Sequence, residues 1–195
     1  MRTFRYDAVR GVAIAVLFAL ALIPAVALWR QHAQAHSAQD FTLVDHFGRP
    51  FHFAAERGRP VVLFFGYTHC PDICPTTLAD IVHARAALGA AGRGIAVLFV
   101  TVDPHRDTPA AMRRYLALFD PSFLGLTGTA EQLAPVYEAY HVYHRVEPAT
   151  DTASGYLVTH SATVYFIARD GRVQIYGDWT DSRATLTKDL MEILS

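Results

Sequence analysis

Val61-Val62-Leu63-Phe64-Phe65-Gly66-Tyr67-Thr68-His69-Cys70-Pro71-Asp72-Ile73-Cys74-Pro75 carries an unbroken apolar segment into a pair of cysteines. The apolar segment follows Gly58 and Pro60 and has no polar alternation, which is the pattern of a central strand buried on both faces. Beyond the cysteines, Pro75 to Leu88 places Leu78, Ile81, Val82 and Ala86 on one helical face. Ile95 to Val102 reads as a second buried strand, so the stretch is the first half of a strand–helix–strand unit. Cys70 therefore lies near a helix N-terminus, where free N–H groups and the helix dipole favour an anionic thiolate.

Working outward, Phe41 to Val44 and Phe51 to Phe53 flank Asp45 to Pro50 as a short hairpin. Thr108 can cap the next helix with Pro109 at its first position, and Met112, Tyr115, Leu116 and Phe119 form its apolar stripe. Thr129 and Gln132 make a capping box ahead of Leu133, Val136, Tyr137 and Tyr140, while Pro135 should kink or shorten that helix. Val158 to Ala168 and Val173 to Tyr176 read as strands, with a turn at Asp170-Gly171. Leu186, Leu190, Ile193 and Leu194 stripe a final helix. The expected order is hairpin, β, α, β, α, α, β-hairpin, α: an α/β fold with a mixed sheet and flanking helices.

The N-terminus has a different character. Arg2, Arg5 and Arg10 precede an uncharged apolar run from Gly11 to Leu28, closed by Trp29. As a helix at ~1.5 Å per residue this run reaches about 27 Å, close to the hydrocarbon thickness of a bilayer. We read residues 1–10 as a cytoplasmic N-terminus, 11–29 as one transmembrane anchor, 30–39 as a linker and 40–195 as the folded domain across the membrane. A cleaved signal peptide is the alternative, with Ala25-Val26-Ala27 or Ala33-Gln34-Ala35 as the processing site. His32 and His36 in the linker read as solvated spacer.

Of the 195 residues, 52% are hydrophobic and 18% charged, which excludes a disordered chain. A net charge of -1, from 17 basic and 18 acidic side chains, gives no reason to expect nucleic acid as a partner. The 2 cysteines are too few for a disulfide framework, and a staple across so short a loop would restrain the unfolded chain little. Three residues separate them, one more than in a CxxC redox motif. On the cysteines alone, metal binding and thiol redox chemistry are equally open. Asp72 lies between the thiols, His69 beside one of them, and Asp103 ends the second buried strand. Each has a bland reading as a solvated acid, a tuning neighbour and a turn residue, respectively.

The stretch Gly66 to Leu78 resembles the signature of the Sco/SenC copper-chaperone family. Val100-Thr101-Val102-Asp103-Pro104-His105-Arg106-Asp107-Thr108-Pro109 resembles its second motif, and His160-Ser161 with Val164 to Ile167 and Asp170-Gly171 its third. The resemblance runs from about Phe41 to the C-terminus. It implies a thioredoxin-like fold and copper, as Cu(I) or Cu(II), on Cys70, Cys74 and His160. Two thiolates and an imidazole suit Cu(I), and suit Cu(II) with an added ligand. It further implies delivery of copper to the CuA centre of cytochrome c oxidase subunit II, with an upstream copper donor or thiol reductant. The implied location is a bacterial inner membrane, with the soluble domain on the periplasmic side. On this reading the protein is a carrier with no catalytic residues. The competing expectation is a membrane-anchored thiol–disulfide oxidoreductase that reduces the acceptor's cysteines. One departure is visible: many family members carry Asp directly before the ligand histidine, where this chain has Thr159.

Overall fold

The computed structural model describes residues 37–148, 155–176 and 183–194. The expected anchor at residues 11–29 and the linker histidines His32 and His36 lie outside the described residues. No helix among the described residues is long and apolar enough to cross a membrane. The folded unit runs over Ala38–Ser195.

Its centre is β3 (Val61–Gly66), all six of whose residues are buried. β3 pairs in parallel with β4 (Ala96–Thr101), from Val61 opposite Ala96 to Gly66 opposite Thr101. On its other edge it pairs antiparallel with β8 (Val164–Ile167). With both edges and both faces covered, the run can be apolar throughout. Val62, Leu63, Phe64 and Phe65 have no exposure at all, and each such side chain contributes about 1.5–3 kcal/mol by leaving water. The hairpin of β1 (Thr42–Asp45) and β2 (Pro50–His52) forms as expected. In its turn Asp45 Oδ1 accepts the N–H groups of Phe47 and Arg49, both at 2.9 Å, and Gly48 takes the positive φ of 81° that the reversal requires.

The helices are α1 (Ile73–Ala87), a short α2 (Gly89–Arg93), α3 (Pro109–Leu116), α4 (Ala130–Ala139) and α5 (Arg183–Glu192). The start signals act as read. Thr108 Oγ1 accepts the Ala111 N–H at 3.2 Å, and Thr129 and Gln132 complete a reciprocal capping box. α4 is ten residues long with Pro135 inside it.

Beyond the short α2 and the strand β6 (His144–Val146), which the sequence reading does not include, two features depart from it. A strand that was not expected, β5 (Leu124–Thr127), lies between β1 and β4 and is parallel to β4. Its Gly125 hides it from periodicity, yet a Cβ there would stand 3.0 Å from both Leu116 and Met112 of α3. Second, the single strand expected from Val158 to Ala168 is two strands in two sheets. β7 (Val158–His160) pairs with β6 (His144–Val146), while β8 joins the main sheet. The break has a cause. Ser161 exchanges two 2.9 Å hydrogen bonds with the backbone of Tyr143, donating its N–H to the carbonyl and accepting the N–H on Oγ. The chain is thereby held to β6 before Val164 reaches the main ladder. With β9 (Val173–Tyr176) the main sheet has the order β2-β1-β5-β4-β3-β8-β9. This mixed sheet with flanking helices fits the thioredoxin-like architecture.

Candidate metal centre

Three loops meet at the end of the sheet beyond Gly66. The first carries the cysteines. α1 opens at Ile73, and Asp72 offers its first turn no side-chain cap. Cys70 takes that place: its Sγ accepts the Cys74 N–H at 3.5 Å. A sulfur among unpaired N–H groups at a helix start is stabilised as the thiolate.

Cys74, one residue into the helix, is fully buried. Its sulfur occupies the space left by the missing side chain of Gly66, where a Cβ would come within 2.7 Å of Cys74 Sγ and 2.8 Å of Phe99. The two thiols diverge in acidity. A hydrogen bond from Cys74 brings Cys70 down to about 4, with further help from the amides of Asp72 and Cys74 against the opposing effect of burial. Burial, and then the neighbouring Cys70 sulfur, push Cys74 well above the ordinary thiol range. Near neutral pH the pair is one thiolate and one thiol.

The second loop carries His160, the last residue of β7. Its Nδ1 lies 2.8 Å from the Ser161 carbonyl. A carbonyl only accepts, so Nδ1 carries the proton and Nε2 presents its lone pair. Nε2 is 3.4 Å from Cys74 Sγ. Tyr67 stands edge-on to the imidazole at 5.6 Å between centroids. Cys70, Cys74 and His160 form a group whose ligand atoms all lie within 4.8 Å of one another. Soft sulfurs and an imidazole, with no carboxylate in the group, make a donor set for a soft ion.

The third loop joins β4 to α3. Asp107, with no exposure, accepts the Thr68 N–H at 3.2 Å, the Thr68 hydroxyl at 2.6 Å and the Thr101 hydroxyl at 2.7 Å. It thus holds the cysteine loop two residues before Cys70. Burial pushes the Asp107 carboxyl above the usual carboxylate range, and the Thr68 and Thr101 bonds oppose that rise.

The structure thus brings together the three expected ligands. His69 stands outside the group, its Nδ1 3.0 Å from Thr68 Oγ1, and Asp72 is exposed. Asp103 is buried and buttresses the site's rim through Tyr156 and Arg106. The departure at Thr159 has a counterpart: its hydroxyl donates to Glu147 at 2.8 Å, so a carboxylate stands one strand away. Gly66, Thr68, Asp107 and Tyr156 were not singled out by sequence reasoning. Asp107 lay in a quoted motif, but a buried acceptor of three bonds is indistinguishable in sequence from a turn aspartate.

Comparison with known proteins agrees with this geometry. Residues 30–195 match the family described as SCO1/SenC. The mitochondrial SCO2 homolog of Bos taurus is 48% identical over 134 residues, covering 68% of this chain and 50% of that protein. The chain therefore spans about half the length of that relative. The structure of Bradyrhizobium japonicum ScoI with copper bound superposes with a TM-score of 0.71 at 36% identity, covering 80% of this chain and 99% of the other. Yeast Sco1 with copper bound gives a TM-score of 0.71 at 32% identity, over 80% and 87% of the two chains.

Proposed function

Because this chain belongs to the SCO1/SenC family, we propose that it carries copper on Cys70, Cys74 and His160 and delivers it to the CuA centre of cytochrome c oxidase subunit II. It is a copper-binding protein of that family, with a Cys-Cys-His site. One observation carries the ligand assignment. Two segments 86 residues apart in sequence bring a sulfur and an imidazole nitrogen to 3.4 Å, with the second sulfur beside them. A pure dithiol exchange site has no use for that histidine.

Copper is the cargo. Cu(I) meets the Cys70 thiolate, displaces the proton of the Cys74 thiol and takes the Nε2 lone pair of His160, so one proton is released and no electron moves. Cys70 and His160 are partly exposed while Cys74 is fully buried. An acceptor thiolate therefore reaches the outer two ligands first, and Cys74 is the last to let go. The same reading tethers the domain by residues 11–29 on the periplasmic side of a bacterial inner membrane. Arg2, Arg5 and Arg10 ahead of the apolar run support that placement.

The direct test loads the full chain with Cu(I) and mixes it with the apo CuA domain of subunit II. Copper should pass to the acceptor from the wild type and fail to do so in a controlled way from His160→Ala. Acceptor filling no faster than from a small Cu(I) chelate would overturn delivery.

The acidity of Cys70 favours a second reading. A thiolate next to a buried thiol can attack a disulfide of the acceptor and form a mixed disulfide. Cys74 then displaces the acceptor's thiolate, leaving a Cys70–Cys74 disulfide and a reduced acceptor. His160→Ala separates the two: it retains reduction of the subunit II cysteines and loses copper delivery.

A further inference from the structure

The site's two halves are held differently, and the β4–α3 loop reaches both. Through Asp107 it grips Thr68 on the cysteine side. Through Arg106 and Asp103 it grips Tyr156, four residues before His160. Arg106 Nη1 donates to the Tyr156 carbonyl at 2.9 Å, and its guanidinium lies 3.5 Å from the centroid of the Tyr156 ring. The Tyr156 hydroxyl donates to Asp103 Oδ1 at 2.8 Å. Arg106 closes the triangle by pairing with the other Asp103 oxygen. Asp103 is itself fixed, its N–H donating to the Thr101 hydroxyl at 2.8 Å.

We propose that Arg106, Asp103 and Tyr156 are positioning residues: a latch that holds the His160 strand against the thiols and sets the rate at which copper leaves, without touching the ion. The proposal rests on the Cys-Cys-His reading. The need for such a latch follows from how little else restrains β7. Among the described residues its three members pair with β6 alone, whose own three residues are all exposed, and of the three only Val158 is buried in the core. Besides the latch, this segment is tied to the cysteine loop by the Val158 N–H donated to the Tyr67 hydroxyl at 3.3 Å and by the contacts of His160 itself with Tyr67 and Cys74. Arg106 also lies 5.7 Å from the Tyr67 ring centroid, so the latch backs this tie. Loss of a charge-assisted bond of this kind displaces a tethered strand rather than unfolding a domain.

The test uses the full chain loaded with one equivalent of copper, with three readouts. They are the imidazole nitrogen splitting of the Cu(II) resonance, the rate of Cu(I) removal by a chelator, and thermal melting of the copper-free protein. Arg106→Ala and Tyr156→Ala should keep one copper per chain, weaken the nitrogen splitting as His160→Ala does, and release Cu(I) about tenfold faster. Tyr156→Phe keeps the ring over the guanidinium and should release it only a few-fold faster. Wild-type splitting and release in Arg106→Ala and Tyr156→Ala, whatever their melting temperatures, would overturn the latch while His160→Ala still differs. Should Arg106→Ala fail to fold, the two Tyr156 variants decide alone. A His160→Ala protein with intact nitrogen splitting would instead overturn the ligand assignment beneath the latch.

Discussion

The cysteine half and the histidine half of the metal centre are built to different standards. Cys74 sits in the first turn of α1 with its sulfur against Gly66 of β3, a strand buried along its whole length and bonded on both edges. His160 ends a three-residue strand in a separate two-stranded sheet whose other member is exposed. Rigidity on one side and a tethered flap on the other suit a protein that must bind an ion firmly and yet surrender it. The buried sulfur anchors the ion, and the outer ligands open the route to an acceptor.

If that contrast holds, damage to the cysteine half should abolish binding, while damage to the histidine half should change how copper is held. The largest effect belongs to Cys74→Ala, which removes the anchoring ligand: Cu(I) affinity should fall on the order of a thousandfold or more, by competition against a chelator. His160→Ala should leave a two-sulfur site for Cu(I), with affinity down by about 10–100-fold, and its Cu(II) form should lose the imidazole nitrogen splitting. Comparable losses from the two variants would erase the distinction.

Gly66→Ala sharpens the contrast on the rigid side. Its Cβ would need the space of Cys74 Sγ and the Phe99 ring, and overpacking of a dense core costs about 1–3 kcal/mol. Lower melting temperature and weakened Cu(I) binding should appear together. A wild-type melt would mean that the sulfur has room to move.

Acidity gives a pH signature on the same side. In the folded, reduced, copper-free protein Cys70 loses its proton at about 4, whereas the ordinary value is 9.0. Between those values the unfolded chain holds the extra proton, so stability rises with pH across that interval and this contribution is lost as pH falls toward 4. Cys74, pushed the opposite way by burial, subtracts stability only above the ordinary thiol range. Denaturant melts of wild type and Cys70→Ala across this range should diverge with rising pH. Parallel curves would mean that Cys70 is not a thiolate at neutral pH. The smallest effect is expected at the exposed rim, where Glu147→Gln weakens contacts to Thr159 and Arg145. The denaturant midpoint of this variant should match that of the wild type, because exposed ion pairs are screened by solvent.

The same contrast marks what the sequence could disclose. β3, α1 and β4 were legible because long apolar runs and a helical stripe admit one reading, and the cysteines sit at their junction. The caps at Thr108 and Thr129 were legible because capping is local chemistry. β5 was not: four residues with Gly125 at the point of contact with α3 show neither alternation nor an apolar run. The division of Val158 to Ala168 was also hidden, because it depends on Ser161 bonding Tyr143, a pairing between distant residues. His160 could be named through its family motif. Its restraint by Tyr156 and Arg106 could not, since tertiary hydrogen bonds between loops leave no periodic trace.

The measurement that bears most directly on the centre is X-ray absorption at the copper edge of the full chain carrying one Cu(I), compared with His160→Ala. Two sulfurs and one nitrogen around copper, with only the nitrogen lost in the variant, is the expected result. A wild-type spectrum of sulfur ligands alone, identical to that of the variant, would contradict the shared role of Cys70, Cys74 and His160.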